Sequence, residues 1–309
     1  MEKVEMEKVE MEKVEMKKVE MKKVEMKKVE MENIVNGTVK FLPKGRGGNQ
    51  LFIYFASRIY AEIHKFNLIG AIETPLIRVK PNRVYGKILE KYTSYTIQDE
   101  DYLPELQEYN YHGPGEYTFS GYHQVDEYFV KYKDLVLSFI DEVIEPIPGR
   151  ISLHVRLGDY YCPGGRHLII NPDYYIHALK QIERVKDLEI CIVVDTPKRN
   201  WERVYLDKLM KKLKKSGIAD IKTISGSPRS DFIFITQSER IIASNSTFCY
   251  WAAFFSKGTI TIFPFTGYDV KVSQAIVKWG PFHQLFNTGN NFTICDDFSQ
   301  NPRDYFYSF

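Results

Sequence analysis

Three side chains suited to handling an anion fall within one short stretch, Ile151–Tyr161 (ISLHVRLGDYY): His154, Arg156 and Asp159. An extended chain alternates its side chains between faces, so Ile151, Leu153 and Val155 point one way and Ser152, His154 and Arg156 the other. One face packs; the other is left to bind. Gly158 permits a sharp turn that sets Asp159 near the C-terminal end of the strand, where open α/β sheets gather ligand groups. A second strand end, Ile241–Ala243, runs into Ser244, Asn245, Ser246 and Thr247, followed by the apolar run Phe248–Phe255 and a stop at Gly258. Ser and Asn are good N-caps, and the unpaired N–H groups of a first helical turn favour an anion. Ordinary capping accounts for the same residues. Arg156 and Ser246 at strand ends of one sheet nevertheless converge on a phosphate site.

A third segment has phosphate-cradling chemistry. Thr38–Leu42 alternates like a strand, and Pro43–Asn49 (PKGRGGN) is a glycine-rich turn. Phe52, Phe55, Ile59 and Ile63 recur at helical spacing and predict a helix over 50–64. Backbone N–H groups around Gly48, Asn49 and Gln50 are placed to meet a phosphate at that helix start, although the loop matches neither the Walker nor the dinucleotide fingerprint.

The elements that must position these residues alternate over the second half of the chain. Strands are expected at 151–155, 190–194, 221–224 and 241–243, with helices at 172–185 and 201–214, a pattern that builds a parallel sheet covered by helices. Gly121–Phe129 leads into a helix extending through Leu137, Phe139 and Ile140, and Pro146–Gly149 reads as a linker. Residues 65–120, rich in Tyr and turn formers, give no clear pattern. Residues 1–30 are six copies of a five-residue unit, MEKVE three times and then MKKVE three times. Each step of five advances Val by about 140° around a helix, so no face is left to bury. A solvated helix or disorder is expected there. The domain reading is a repeat at 1–32, an N-terminal domain at 36–145 and a C-terminal domain at 150–309.

Composition excludes several classes of function. The 309 residues carry a net charge of +2, so no broad field argues for nucleic acid or an anionic membrane. The 21 Tyr and 20 Phe suit packed cores and sugar-binding surfaces alike, and core packing is the default. Cys162, Cys191, Cys249 and Cys295 show no CxxC spacing and read as reduced thiols of a cytosolic protein. No apolar run approaches the roughly 20 residues that span a bilayer, and a signal-peptide apolar region is missing, so a soluble cytoplasmic protein is expected. The histidines show no paired ligand spacing, so no metal is expected. The lack of a GxxxxGK[ST] loop disfavours an NTPase. The sequence does not set the oligomeric state.

Four segments, in order, resemble the motifs of the α-1,2-fucosyltransferases of glycosyltransferase family 11: Gly47–Tyr54 (GGNQLFIY), Gly121–Gln124 (GYHQ), His154–Tyr160 (HVRLGDY) and Ile242–Trp251 (IASNSTFCYW). The resemblance spans about residues 38–265. It implies an α/β fold of the GT-B type with two Rossmann-like domains, GDP-fucose as donor substrate without any cofactor or bound metal, and inversion at the anomeric centre. The partner it implies is a glycan acceptor ending in galactose. Arg156 would sit on the diphosphate with His154 at the nucleotide, Ser244, Asn245 and Ser246 at the phosphate end, and Asp195, after the strand Ile192–Val194, on the nucleoside. Gly48, Asn49, Gln50 and Thr247 complete the substrate-binding set; Tyr122 and Gln124 face the acceptor, with plain core packing the other reading of Tyr122. Asp159 reads either as the general base or as a structural partner of Arg156, and His154 also qualifies as a base. The family often has a second arginine where Leu157 stands. Either a leaving-group contact is lost, with Arg166 or Arg229 as substitutes, or Leu157 simply packs on the apolar face. Two alternatives remain: a different sugar nucleotide as donor, or binding without turnover.

Overall fold

The computed structural model describes residues 15–23, 35–72, 76–87, 92–160, 169–218, 220–264, 270–272, 275–277 and 292–295. Within the repeat, 15–23 is helical with every side chain exposed. The rest of the repeat lies outside the described residues, as do Cys162 and Arg166.

Parallel neighbouring strands need a crossover connection, usually through a helix, because a tight hairpin returns the chain antiparallel. Both sheets obey this. In the first, β1 (Gly37–Phe41) passes through α1 (Gly48–His64) into β2 (Asn67–Ile69). After β3 (Ser94–Ile97) comes a short hairpin, β4 (Tyr102–Leu103) with β5 (Glu108–Tyr109), and then β6 (Gly115–Phe119). The order is β2-β1-β6-β3, with every pair parallel. Helices α2 (Asp126–Lys131) and α3 (Lys133–Ser138) lead to the second sheet, which opens with β7 (Ile147–Val155). There follow α4 (Pro172–Lys180), β8 (Glu189–Val194), α5 (Asn200–Lys215), β9 (Ile221–Ile224), α6 (Pro228–Thr236), β10 (Ser238–Ile242), α7 (Thr247–Phe255) and β11 (Ile260–Pro264). A hairpin of β12 (Val270–Val272) and β13 (Ala275–Val277) precedes β14 (Phe292–Cys295). The second order is β14-β11-β10-β7-β8-β9, again parallel throughout.

Each order contains a reversal. In the second sheet the chain starts at β7, moves outward through β8 and β9, then returns to the other side of β7 with β10. In the first it leaves β1 for β2 and returns beside β1 with β6. Such switch points open a crevice at the carboxyl ends of the flanking strands, the usual ligand site of an open parallel sheet.

The core follows the alternation. Ile151, Leu153 and Val155 join Tyr174, Tyr175, Leu179 and Leu209 on one face of the second sheet. The other face is continuous with the core of the first sheet, because α7 packs directly on α1. Phe52 lies 4.9 Å from Trp251 and 4.7 Å from Tyr250 between ring centroids, and Phe55 lies 5.1 Å from Trp251. Much of the aromatic content of the described residues packs in this shared core. Cys191 and Cys249 are buried unpaired thiols.

The structure departs from expectation in four places. Residues 65–120 hold three strands of the first sheet, which the alternation of Gly115–Phe119 (buried at Gly115, Tyr117 and Phe119) marks most clearly. The expected linker at Pro146–Gly149 is the start of β7. Gly149 adopts φ 76°, its N–H donates to Glu239 Oε2 at 2.5 Å, and the pairing with β10 shifts register beside it, between Ser238 and Arg240. The helix after Gly121 breaks at Tyr132 into α2 and α3, and α4 stops at Lys180 instead of Val185.

Gly48 is the tightest point between α1 and α7. A Cβ there would stand 2.4 Å from the Thr247 carbonyl carbon and 2.5 Å from the Phe248 nitrogen, both backbone atoms. Gly48→Ala must therefore separate the two helices, at a cost of about 1–3 kcal/mol. The expected reading is a Tm lower by about 2–5 °C in thermal denaturation.

Candidate active site

All four motif segments leave the carboxyl ends of switch-point strands: the glycine loop after β1, Gly121–Gln124 after β6, Arg156–Tyr160 after β7 and Ser244–Thr247 after β10. Three of them meet at one carboxamide. Asn49 Oδ1 accepts from Gln124 Nε2 at 3.0 Å and from Thr247 Oγ1 at 2.9 Å, joining three of the four segments. Beside it, Gln50 Nε2 donates to the Gly45 carbonyl at 3.3 Å, folding the glycine loop over the start of α1.

The fourth segment joins through His154. Its Nδ1 lies 2.8 Å from Ser244 Oγ, its ring stacks on Phe248 at 5.6 Å, and its carbonyl accepts from Tyr175 Oη at 2.8 Å. Burial, reinforced by the Arg156 charge, pushes its pKa down to about 3. The imidazole is therefore neutral near pH 7 and a poor base. Ser244, Asn245 and Ser246 are all buried. Ser246 is the N-cap of α7, its Oγ accepting from the Phe248 N–H at 3.3 Å.

Arg156 lies between two carboxylates. Nη1 donates to Asp195 Oδ2 at 3.1 Å, Nη2 donates to Asp159 Oδ1 at 2.6 Å, and the guanidinium carbon lies 5.1 Å from the Tyr160 ring centroid. Nε is buried without a partner. Gly158, at φ 68°, supplies the turn that brings Asp159 back to Arg156, and Tyr160 Oη reaches the Asn245 carbonyl at 3.2 Å. Asp195 directly follows β8, its side chain 74 % exposed and tied to the rest of the site through Arg156. Leu157 is 3 % exposed and belongs to the apolar core behind β7, so this position packs. Arg229 does not stand in for a second arginine. Its Nη1 donates to the Leu76 carbonyl at 3.1 Å and Nη2 pairs with Glu142, which commits the guanidinium elsewhere.

On the first sheet's side, Tyr122, in the loop after β6, is exposed, and Gln124 turns back to Asn49. Sequence reasoning missed Asp99, just after β3. Its carboxylate accepts from the Tyr122 N–H at 3.0 Å and the His123 N–H at 2.5 Å. Partners more than twenty residues apart in an unpatterned segment leave no sequence signal. Tyr160 was overlooked too, although it sits within the quoted motif. His123 is buried at φ 50°, and burial pushes its pKa down to about 4 despite the Asp99 charge. Among the described residues no group of three or more His, Cys, Asp or Glu is placed to hold a metal.

The model of glycosyl transferase family 11 matches residues 87–280. No curated protein matches the chain. Among solved structures, a mutant of Arabidopsis thaliana FUT1 in complex with GDP is similar at TM-score 0.46 and 10 % identity, over 73 % of this chain and 70 % of that one. POFUT1 in complex with GDP is similar at TM-score 0.40 and 12 % identity, over 74 % of this chain and 98 % of the other.

His154 and His123 both titrate below the free value of 6.5 in the folded chain, at about 3 and about 4. Unfolding therefore takes up protons once the pH drops below about 6.5, so stability is complete above that point and declines as pH falls toward the folded values. The Tm should be lower at pH 5 than at pH 7.5. In His123→Asn, where Asn tolerates the left-handed backbone, the acid-side slope should be shallower.

Proposed function

Because the chain belongs to glycosyl transferase family 11, we propose that it transfers fucose from GDP-fucose to the 2-hydroxyl of a galactose that ends a glycan acceptor, inverting the anomeric carbon. The observation that carries this reading is the convergence at Asn49, which places the carboxyl ends of both parallel sheets, and the starts of α1 and α7, around one crevice. Two helix starts and an arginine fork are what a diphosphate needs.

In such a transfer the bond from C1 to oxygen breaks with oxocarbenium character while negative charge builds on the β-phosphate, so preorganised donors at that oxygen supply much of the rate. Arg156 takes that role. Its planar fork, now shared by Asp159 and Asp195, presents two parallel N–H edges to phosphate oxygens, and the backbone N–H groups after Ser246 add the α7 dipole. His154 contributes no charge; it fixes the Ser244 hydroxyl at the phosphate end. Asp195, just after β8, releases Arg156 to the diphosphate and turns to the nucleoside. The donor side needs no metal in this scheme.

Inversion requires the acceptor oxygen behind C1, in line with the departing phosphate. A general base then lies across C1 from the leaving group. Asp159 is bonded to the residue that receives the leaving group, so we assign it to holding Arg156, the second of its two sequence readings. The acceptor approaches from the Gly121–Gln124 side of the crevice.

The experiment is GDP release from GDP-fucose with EDTA present, across galactose-terminated acceptors and a panel of other sugar nucleotides. Acceptor-dependent release should survive EDTA and fall by about 10²–10³-fold in Arg156→Ala, with partial activity in Arg156→Lys, which keeps the charge but loses the fork. Release from a different sugar nucleotide alone would replace fucose as the donor, and GDP binding without release from any donor would make this a binding protein.

A further inference from the structure

We propose that Tyr122 and Asp99 form a pyranose subsite that sets acceptor affinity; this rests on the glycosyl-transfer reading above and names the residues that meet the acceptor sugar. Tyr122 is 45 % exposed although its neighbours on both sides are anchored. Asp99 accepts its N–H at 3.0 and 3.2 Å and the His123 N–H at 2.5 Å. His123, fully buried, adds a contact of 3.2 Å from Nδ1 to Tyr109 Oη, and Gln124 is tied to Asn49 at 3.0 Å. A non-glycine residue at φ 50° persists only where its surroundings over-determine it. Here they hold the backbone rigid while turning one aromatic ring out to solvent.

Clamping alone explains the backbone contacts of Asp99. It does not explain why the ring between the anchors is left exposed while Tyr109, which the neighbouring His123 contacts, is buried. Nor does clamping use all of Asp99, whose side chain is 49 % exposed and whose oxygens have lone pairs to spare. A pyranose has an apolar C–H face and a rim of hydroxyls. A tyrosine face matches the first, and a carboxylate accepts from the second. The position also fits: Tyr122 lies two residues from Gln124, whose link through Asn49 ends at Thr247, the residue after the Ser246 cap. Asp99 and Tyr122 thus follow the carboxyl ends of β3 and β6, the same end of the first sheet from which the Asn49 loop reaches Thr247.

The test is steady-state kinetics with GDP-fucose and a galactose-terminated acceptor, in parallel with saturation-transfer NMR of methyl galactoside binding in the absence of donor. Tyr122→Ala should raise acceptor KM about tenfold, leave donor KM and kcat within about twofold, and lose the NMR signal, while Tyr122→Phe should stay near wild type. Asp99→Asn keeps an oxygen for the two backbone N–H groups, so the loop should hold its shape while acceptor KM rises about fivefold. An unchanged acceptor KM in Tyr122→Ala, or an equal rise in donor KM, overturns the subsite. A collapse of kcat in Asp99→Asn at unchanged acceptor KM also overturns it, marking Asp99 as the base instead. If the wild type transfers to no galactoside, the reaction assigned above fails, and the NMR arm alone decides the subsite: binding lost in Tyr122→Ala supports it, and no binding by the wild type overturns it.

Discussion

Gly48 places the start of α1 against the Thr247 backbone at the start of α7, at a separation that leaves no room for a methyl group. From that contact the rest of the site follows. Asn49, one residue on, reaches Thr247 of the second sheet's turn and Gln124 of the first sheet's loop with a single oxygen. Because α1 and α7 then run side by side, their aromatic faces fuse into one core in which Phe52, Phe55 and Trp251 touch. A core shared in this way fixes the two sheet edges relative to each other, which an exposed hydrogen bond alone would not do.

The electrostatics of the crevice centre on Arg156. Arg156 is paired with two carboxylates that are themselves largely exposed, Asp159 and Asp195. Pairs of that kind are worth about 0–1 kcal/mol each, so they orient the guanidinium without holding it against a more highly charged ligand. His154, behind it, is kept neutral by burial and by the same arginine. A second cation there would have repelled Arg156. With Leu157 turned into the apolar core, the fork of Arg156 is the charge that β7 delivers to the crevice.

The abundance of tyrosine and phenylalanine has the same origin. Tyr54, Tyr60, Tyr117 and Tyr128 are all buried, most with hydroxyl or ring partners, and the aromatic face of α7 is sunk between the two sheets. Core packing is their main use. Tyr122 differs from them: its backbone is held by Asp99 while its ring stays exposed.

Several levels were legible in the sequence alone because they depend on neighbours along the chain. The two-residue period of Ile151–Val155 divides packing from binding residues, and Leu157 falls on the packing side as that period requires. The Ser and Asn run before Phe248 marks a helix start, and the strand–helix alternation of the second half dictates a parallel sheet. What the sequence could not show depends on partners distant in the chain. The strands within 65–120 are short and carry mixed burial, so their period is lost among tyrosines until β1 supplies a neighbour. The role of Asp99 needs a loop more than twenty residues away, and the fate of Arg229 needs Leu76 and Glu142. Local pattern thus determined which residues form the core and which are left at the carboxyl ends of the strands. Only the tertiary structure decided that two strand reversals meet at Asn49, because strand order and helix contact are set by side-chain packing between segments and leave no periodic trace in either one.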